Sequence, residues 1–453
     1  MQLCKQSKVE FETLLYFCYF CNLMINKKVA FYTLGCKLNF AETSTISRFF
    51  TESNYDVVKF SEIADIYVIN SCSVTSNANK KSRNAIARAR SKNPKAIIIA
   101  TGCYAQLKPE EIEELNFADY IIGANDKNSI EDIIKSHNND DSHKILTDHK
   151  DVKTFFPAFS KGDRTRSFLK IQDGCDYFCA YCTIPYARGR SRNQSIKDIL
   201  ENARQIVQDG IKEVILTGIN IGDFGKTTGE SFYNLLFELV KIEGIERIRI
   251  GSIEPNLLTK EIIALVASSE KLLPHFHIPL QAGSDEILKL IRRKYDTALF
   301  RDKIETINKL IPNAFIGIDL IVGINGETDL HFKETVDFVS SLDIAYIHHF
   351  QYSERENTPA VNFKPKTSPQ VKHQRADIIT KISDKKHKDF LNKSIGTSHK
   401  VLLESSDKNG KIFGYTENYI RVTTSHSENL INKIVKVKII DFDDSETMKI
   451  QII

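Results

Sequence analysis

Several features that would assign a chain of this length to a simple class are missing. No apolar run reaches the roughly 20 residues that a membrane-spanning helix needs. The most apolar stretch, Leu14–Ile25, is interrupted by Asn22 and two cysteines. The formal net charge is only +4, from 62 basic and 58 acidic residues, so total charge does not indicate a polyanionic partner. We therefore expect a multidomain protein with no membrane partner.

The amino-terminal stretch could still be the apolar part of a signal peptide. Glu10 and Glu12 precede it, however, and no small-residue cleavage site follows, which argues against that reading. The first strand-like run begins at Lys28, just after Met24, which we expect to be the natural start. We therefore expect residues 1–27 to be an extension outside the folded domains. That extension contains Cys4, Cys18 and Cys21, to which we assign no function.

Nine cysteines are an odd number, and they occur in a long chain rich in Lys and Glu. A disulfide framework is typical of short secreted domains and is therefore not expected here. Reduced thiols in a cytoplasmic protein, available for metal ligation or redox chemistry, fit better.

The first part of the chain alternates short β-rich runs with polar amphipathic stretches, a pattern that predicts a parallel sheet covered by helices. We assign this α/β domain to residues 28–140. The predicted strands are Val29–Thr33, Ile66–Asn70, Ile97–Thr101 and Tyr120–Ile122. The polar stretch Ser136–Asp148 follows and is predicted to be a linker.

A second α/β series occupies residues 161–390 and predicts a barrel or partial barrel, with its chemistry at the carboxyl ends of the strands. The predicted strands are Phe168–Ile171, Glu213–Thr217, Arg247–Ile250, His275–Ile278, Ile316–Val322 and Ile344–Tyr352, and the helical pattern is clearest at Ile196–Gln208. Residues 394–453 then predict a small antiparallel β-barrel. Its strands are expected at Val401–Glu404, Lys411–Thr416, Ile420–Thr424, Ile434–Asp441 and Met448–Ile453.

The sharpest chemical signal is a loop of three closely spaced cysteines directly after the strand Phe168–Ile171. Its cysteines are Cys175, Cys179 and Cys182. Three thiolates can hold three irons of a [4Fe–4S] cluster, whose usual complement is four cysteines, and so leave one iron open. Zinc is the alternative, but zinc sites pair two close ligands with a second pair further on. No such pair follows here.

Three further cysteines each follow a predicted strand of the first domain, namely Cys36, Cys72 and Cys103. Strands of a parallel sheet end at the same edge, so these thiols can converge although they are distant in sequence. A lone buried cysteine is usually structural. Three of them at equivalent places predict a second cluster.

The cysteine loop, with Tyr181 before its last cysteine, resembles the radical S-adenosylmethionine superfamily. In that superfamily the open iron binds the cofactor, whose cleavage gives a 5′-deoxyadenosyl radical. By this resemblance Tyr181 would lie against the adenine, although ordinary packing is the alternative. With Cys36, Cys72 and Cys103 added, the chain from about residue 28 resembles the methylthiotransferase family. That family joins an N-terminal domain, a radical S-adenosylmethionine core and a C-terminal TRAM barrel, and carries two [4Fe–4S] clusters.

Within the family, the stretch from Ile171 to Arg192 and the segment Leu34–Asn39 look most like the branch that acts on N6-threonylcarbamoyladenosine in tRNA. One sister branch acts on isopentenyl-adenosine in tRNA and often has an acidic residue at the position of Arg190. The other acts on a ribosomal-protein aspartate. The resemblance implies transfer of a methylthio group to C2 of the adenine, next to the anticodon. It also implies an electron donor and a sulfur source. The alternative from another class is a non-catalytic iron–sulfur protein that binds RNA or transfers electrons.

Other strand ends resemble the pieces with which the superfamily holds S-adenosylmethionine, although a glycine after a strand is often only a turn. The candidates are Gly218, Asn220, Ser252, Glu254 and Gln281. One departure concerns Ile324–Thr328, where the family usually has Phe-Pro-Gly-Glu-Thr. Without that proline we expect a looser loop that keeps Glu327.

Contact with tRNA is predicted from local charge, because neutralisation of phosphates dominates such affinity. A solvated helix face is the alternative. The first basic run is Lys80, Lys81, Arg83, Arg88, Arg90, Lys92 and Lys95, and the second is Lys364, Lys366, Lys372, Arg375, Lys381, Lys385, Lys386, Lys388 and Lys393. In the C-terminal barrel, Tyr415 and Tyr419 could stack on bases or pack the barrel.

Overall fold

The structure, a computed structural model, describes residues 26–136, 143–161, 165–407, 410–425 and 428–453. The predicted extension, with Cys4, Cys18 and Cys21, lies outside the described residues except for its last two positions. The described chain forms two compact units. The first holds the described parts of residues 1–34, 45–72 and 77–146, and the second holds residues 35–44, 73–76 and 147–453. Within these residues, no helix has both the length and the apolar character needed to cross a membrane.

The first unit is built on a six-stranded parallel sheet with the strand order β2-β1-β3-β4-β5-β6. Its strands are β1 Lys28–Thr33, β2 Asp56–Val58, β3 Ile66–Ser71, β4 Ile97–Gly102, β5 Tyr120–Ile122 and β6 His143–Ile145. The predicted strands match β1, β3, β4 and β5. The linker prediction is wrong at residues 143–145, which pair with β5 as an edge strand. A three-residue strand is too short for its periodicity to be recognised.

Helices alternate with these strands, as the α/β prediction requires. They are α1 Lys37–Glu52, α2 Ser76–Lys92, α3 Cys103–Leu107, α4 Pro109–Glu113 and α5 Ile130–Ser136. Residues 37–44 of α1 and the first residue of α2 belong to the second unit. Strand β3 is buried along its whole length, which is typical of a parallel strand covered on both faces. From α2, Ala85, Ile86 and Ala89 enter the core of this unit.

The second unit contains six parallel strands in two sheets, β7-β8-β9 and β10-β11-β12. The strands are β7 Arg166–Lys170, β8 Glu213–Thr217, β9 Arg247–Ile250, β10 His275–Gln281, β11 Phe315–Val322 and β12 Tyr346–Gln351. Parallel bridges from Ile248 to Leu272 and from Ser252 to His277 join the two sheets. The predicted partial barrel is therefore confirmed.

Seven helices of the described chain accompany this barrel: α6 Ile184–Arg188, α7 Ile196–Gln208, α8 Phe232–Leu239, α9 Lys260–Ser268, α10 Asp285–Leu290, α11 Thr297–Leu310 and α12 Asp329–Ser341. Helix α7 has the predicted bounds. Its N-cap Ser195 accepts a hydrogen bond from the backbone N–H of Asp198, which satisfies a group that the first turn leaves unpaired. Ile199 and Ile206 lie on its buried face.

Helix α13, Pro369–Ser394, leads into a closed five-stranded barrel with the order β13-β14-β15-β17-β16. The strands are β13 Ser398–Ser406, β14 Lys411–Thr416, β15 Arg421–Ser425, β16 Ile434–Phe442 and β17 Met448–Ile452. The predicted barrel is confirmed, but it is not wholly antiparallel, since β15 and β17 pair in parallel. Five strands cannot close a ring with alternating directions only, so one parallel pair is required.

Tyr415 and Tyr419 of the C-terminal barrel pack against the partial barrel. Their rings stack with centroids 4.8 Å apart, and the Arg249 guanidinium lies 4.7 Å from the centre of the Tyr419 ring. Tyr419 also contacts the buried His275, at 4.7 Å between ring centroids. Arg247 donates to the carbonyl oxygen of Thr416 at 2.9 Å. Of the two predicted roles for these tyrosines, the contacts support packing.

We expect Tyr419→Ala to lower the free energy of unfolding by about 2 kcal/mol, because it removes three aromatic contacts, to His275, Phe315 and Tyr415, and a cation–π contact. Affinity for tRNA should stay within about twofold of wild type. Tyr233→Ala is the matched control, since Tyr233 is 37% exposed and stacks on Phe237. Chemical denaturation and tRNA titration measure the two quantities. Unchanged stability with much weaker tRNA binding would contradict the packing role.

Candidate active site

The three-cysteine loop begins directly after β7 and is held by its backbone. Asp173 and Arg192 exchange two backbone hydrogen bonds of 2.9 Å, and the N–H of Cys175 donates to the carbonyl oxygen of Gly189 at 3.0 Å. Gly174 has a φ of +70°, and a Cβ there would lie 2.0 Å from the carbonyl oxygen of Arg190. Only glycine fits this position. The loop is therefore fixed where the first cysteine leaves the strand.

The thiols of this loop share one electrostatic environment. Burial raises the pKa of Cys175 to about 12, and the neighbouring Cys179 contributes. Burial likewise raises the pKa of Cys182 to about 12, with Cys179 and Cys175 adding to it. The Arg293 guanidinium donates to Cys179 Sγ at 3.2 Å, which would stabilise a thiolate there. The structure therefore brings the three predicted cysteines together.

The three thiols form a donor set that an iron–sulfur cluster could use. A four-iron cluster binds each thiolate through a different iron, so three thiolates would hold three irons and leave one open. Among the described residues, no group of three His, Cys, Asp or Glu side chains is arranged to hold one metal ion.

Gln172 connects the cysteine loop to the turn after β8. Its side-chain nitrogen donates to the carbonyl oxygen of Gly174 at 2.7 Å. Its side-chain oxygen accepts from the backbone N–H groups of Ile219 and Asn220, at 3.0 and 2.7 Å. At Gly218 in the same turn, a Cβ would lie 2.9 Å from the carbonyl oxygen of Gln172. The turn that carries the predicted Gly218 and Asn220 is therefore fastened to the cysteine loop.

Two predicted cofactor-binding residues carry polar groups suited to a ligand. Asn220 donates to Asp223 at 3.2 Å, while its buried Oδ1 has no partner. Glu254 pairs with Arg293. Burial raises the pKa of Glu254, and Arg293 opposes that shift. Buried polar atoms without partners are costly unless a ligand satisfies them, so these residues fit a polar cofactor.

A cavity of about 210 Å³ lies beside the cysteine loop, at the carboxyl ends of β10, β11 and β12. It is lined by Val74, Thr75, Tyr181, Cys182, Thr183, Ile184, Gln281, Asp319, Ile321, Phe350, Gln351, Tyr352, Ser353 and Arg355. Tyr181 lines the cavity and also packs against the barrel core. Its packing role is therefore present, and its contact with the adenine stays a prediction. Gln281 lines it from a strained φ of +67°.

The predicted cofactor-binding residues therefore fall into different groups. Tyr181 and Gln281 lie on the cavity, while Gly218, Asn220 and Glu254 surround the cysteine loop. Ser252 is exposed, and its parallel bridge to His277 joins the two sheets.

The loop Ile324–Thr328 is held by several hydrogen bonds. Asn325 is buried, and its side chain donates to Glu354 at 2.7 Å and to the carbonyl oxygen of Ala360 at 3.1 Å. Glu327 accepts from the backbone N–H of Gly323 at 2.8 Å and pairs with Arg375. That this loop is looser than one with a proline stays a prediction.

The cysteines of the first domain follow neighbouring strands of one sheet. Cys72 and Cys103 come directly after Ser71 and Gly102, which are register partners on β3 and β4. Both cysteines are buried, while Cys36 is exposed and follows the end of β1 by three residues. The sheet edge predicted from the sequence is therefore present.

Many cations of the two basic runs are used within the fold. In the first run, Arg83 pairs with Glu111 and Arg90 with Asp119. In the second run, Arg375 pairs with Glu327 and Asp329. Lys80, Lys81 and Lys95 are exposed. A contact between these exposed lysines and tRNA stays a prediction.

Two residues around the site were not predicted, Gln172 and Arg293. Gln172 directly precedes the Asp173-Gly174-Cys175 turn, and that position is the one local signal for it. Arg293 lies in a basic triplet far along the chain, so its contact with Cys179 follows only from the fold.

Two family models match this chain, and their matches cover the two segments that contain the predicted cluster cysteines. The family model described as "Uncharacterized protein family UPF0004" matches residues 28–123, and the "Radical SAM superfamily" matches residues 169–339. These two segments contain all six cysteines assigned to clusters.

The chain is 38% identical over 423 residues to the threonylcarbamoyladenosine tRNA methylthiotransferase MtaB of Bacillus subtilis, covering 91% of this chain and 93% of that protein. It is 33% identical over 424 residues to the tRNA-2-methylthio-N(6)-dimethylallyladenosine synthase of Clostridium botulinum, covering 90% of this chain and 93% of that one. Among solved structures, the radical S-adenosylmethionine methyltransferase TsrM of Kitasatospora setae matches with a TM-score of 0.55 at 12% identity, covering 74% of this chain and 77% of that one. At that identity the likeness concerns the fold alone.

Proposed function

The chain belongs to the radical S-adenosylmethionine methylthiotransferase family, and we propose that it transfers a methylthio group to C2 of N6-threonylcarbamoyladenosine in tRNA. The observation that carries the proposal is the three-cysteine loop beside a cavity at the carboxyl edge of the barrel. The choice of substrate rests on the 38% identity to a relative named for this base, against 33% to one named for dimethylallyladenosine.

The enzyme uses an iron–sulfur cluster and S-adenosylmethionine. When bound, this pair supplies the carbon radical that removes a hydrogen atom from the substrate. Cys175, Cys179 and Cys182 would hold the cluster, and Arg293 would favour the thiolate form of Cys179. Asn220 Oδ1 would accept a hydrogen bond from the polar end of the cofactor. The cavity lined by Tyr181 and Ile321 would take an aromatic ring.

A second [4Fe–4S] cluster held by Cys36, Cys72 and Cys103 is part of the proposal. It is supported by the strand register, which brings Cys72 and Cys103 to adjacent strand ends. The overall reaction also needs an electron donor and a sulfur source. Because the substrate is tRNA, we place the enzyme in the cytoplasm and assign phosphate contacts to exposed lysines such as Lys80 and Lys81.

We expect Gln172→Ala to weaken the binding of S-adenosylmethionine about tenfold, because the backbone N–H groups of Ile219 and Asn220 lose their acceptor. The matched control is Gln194→Ala, since Gln194 has a single weak contact, 3.5 Å to Asn202. Equilibrium binding to the reconstituted enzyme measures the effect. Equal affinities of the two variants would show that the link through Gln172 does not shape the cofactor site.

Nucleoside mass spectrometry of tRNA tests the proposed substrate. A strain that lacks the gene should lose 2-methylthio-N6-threonylcarbamoyladenosine and regain it when the gene is returned. Loss of the 2-methylthio isopentenyl nucleoside would assign the chain to the sister branch. Unchanged tRNA together with an altered ribosomal-protein aspartate would assign it to the other branch. With neither changed, a non-catalytic role would be favoured.

A further inference from the structure

We propose that a buried network of ionised side chains fixes the position of the Cys36 segment relative to the Cys175 loop, and so couples the two halves of the reaction. The members of this positioning network are Glu42, Lys170, Asp173, Arg188 and Arg192. Because it assigns a role to Cys36 as a cluster ligand, the inference rests on the proposed function.

The network joins segments that are far apart in sequence but belong to one compact unit. Lys170 on β7 contacts Glu42 at 2.8 Å and Asp173 at 2.6 Å. Arg188 contacts the same two carboxylates, at 3.0 and 3.1 Å. The side chains of Lys170, Glu42 and Arg188 have no solvent exposure, and that of Asp173 has 1%. Each carboxylate is therefore shared by at least two cations.

A continuous series of contacts runs from one cysteine to the other. Cys36 Sγ lies 4.0 Å from Asn39 Oδ1, and Arg188 donates to the same oxygen at 2.7 Å. Arg188 then contacts Asp173 Oδ1, which accepts from the backbone N–H of Gly174 at 2.8 Å. Gly174 directly precedes Cys175. The guanidinium group of Arg188 thus links the segment of Cys36 to the segment of Cys175.

Stability alone does not account for so many buried charges. Removing charged groups from water is costly, and apolar residues of similar volume often stabilise such a position as well or better. Ion pairs fix the relative orientation of their partners, because the planar guanidinium group of Arg188 binds the carboxylates in one orientation. The network is therefore suited to setting a distance and an orientation.

This fixed orientation bears on the reaction because sulfur transfer must follow radical formation at the same substrate carbon. A misplacement of about 1 Å between reacting groups can reduce a rate by about a hundredfold. Weakening the network should leave cleavage of S-adenosylmethionine largely intact and slow product formation. Glu42, Lys170 and Arg188 are accordingly positioning residues, because they act through the cysteine segments.

The test compares Glu42→Gln, which removes one shared carboxylate without changing its size, with wild type. Asp119→Asn is the matched control, because Asp119 pairs with Arg90 at the amino ends of the strands in the other unit. Hydrogen exchange is measured on the metal-free proteins, for backbone amides of residues 35–44 and 171–175. The reconstituted proteins are then assayed for moles of 5′-deoxyadenosine released per mole of methylthio nucleoside.

We expect Glu42→Gln to speed exchange in both segments and to raise the ratio of 5′-deoxyadenosine to product about tenfold. Its iron content should equal that of the control, and its melting temperature should be lower, because Lys170 and Arg188 lose a shared buried carboxylate. An unchanged ratio with both activities falling in parallel would overturn the proposal, since this is what a purely structural role predicts. If Glu42→Gln does not fold, Asn39→Ala is used instead. It removes the acceptor between Cys36 and Arg188, and the same ratio of 5′-deoxyadenosine to product tests the proposal. Finding only one cluster in the wild-type protein would refute the two-cluster function. Hydrogen exchange in the metal-free protein would still show whether residues 35–44 and 171–175 are coupled.

Discussion

A variant with Cys72→Ala is expected to keep cleaving S-adenosylmethionine while its yield of methylthiolated tRNA falls at least about a hundredfold. The reason is that Cys72 belongs to the proposed second cluster, whereas the three-cysteine loop lies in the other compact unit. Removing the small, buried Cys72 side chain leaves the first sheet and its core otherwise intact. The measurement is 5′-deoxyadenosine by chromatography and tRNA nucleosides by mass spectrometry, from the same reaction.

Two companion variants make this result specific. Cys103→Ala should behave like Cys72→Ala, because the two cysteines follow register partners on β3 and β4. Cys179→Ala should lose both activities, since it removes a ligand from the loop where the radical is generated. Methylthiolated product at the wild-type level from Cys72→Ala would refute the second cluster.

The second large effect is expected at Gly174, where alanine should abolish cleavage of S-adenosylmethionine and remove about half of the bound iron. Gly174 and Gly210 have similar φ angles, +70° and +75°, so alanine at either position costs about 1 kcal/mol of backbone strain. They differ in their surroundings. A Cβ at Gly174 would lie 2.0 Å from a backbone oxygen, whereas a Cβ at Gly210 would meet nothing within 4 Å.

Gly210→Ala is therefore the matched control for the strain itself. Iron analysis, cleavage rate and thermal unfolding of the two variants separate the causes. A Gly174→Ala protein that kept full iron and full cleavage would show that the backbone contact between residue 174 and the Arg190 carbonyl does not shape the cluster loop.

Much of the fold follows from local signals. Helix α7 was predicted with its observed bounds, because Ser195 is a good N-cap and its apolar residues recur at helical spacing. Strand β8 is a short apolar run and also kept its predicted bounds. The edge strands β2 and β6 were missed, since three residues carry too little periodicity. The single parallel pair of the C-terminal barrel follows from closure of five strands, which no local pattern encodes.

The candidate site was predictable where chemistry is concentrated in one segment. The spacing of Cys175, Cys179 and Cys182 identified the loop, and the strand-edge rule placed Cys72 beside Cys103. The supporting contacts could not be read from the sequence, because their partners are distant. Lys170 and Glu42 are 128 positions apart, and Arg188 and Glu42 are 146 apart.

Charge and aromatic patterns were ambiguous for a different reason. An arginine that binds phosphate and one that pairs within the fold look alike in sequence, and Arg83 and Arg90 proved to have carboxylate partners. The same holds for Tyr419, whose ring meets Arg249 and His275. Only the identity of the neighbours separates the two roles.

The most direct test of a two-cluster methylthiotransferase is a count of iron and acid-labile sulfide. The count is made in the anaerobically reconstituted wild-type chain and in a Cys175/Cys179/Cys182→Ala variant. We expect about eight irons and eight sulfides per wild-type chain, and about four of each in the variant, because the remaining cluster would be held by Cys36, Cys72 and Cys103. About four irons in wild type and none in the variant would contradict the two-cluster enzyme and leave a radical enzyme with a single cluster.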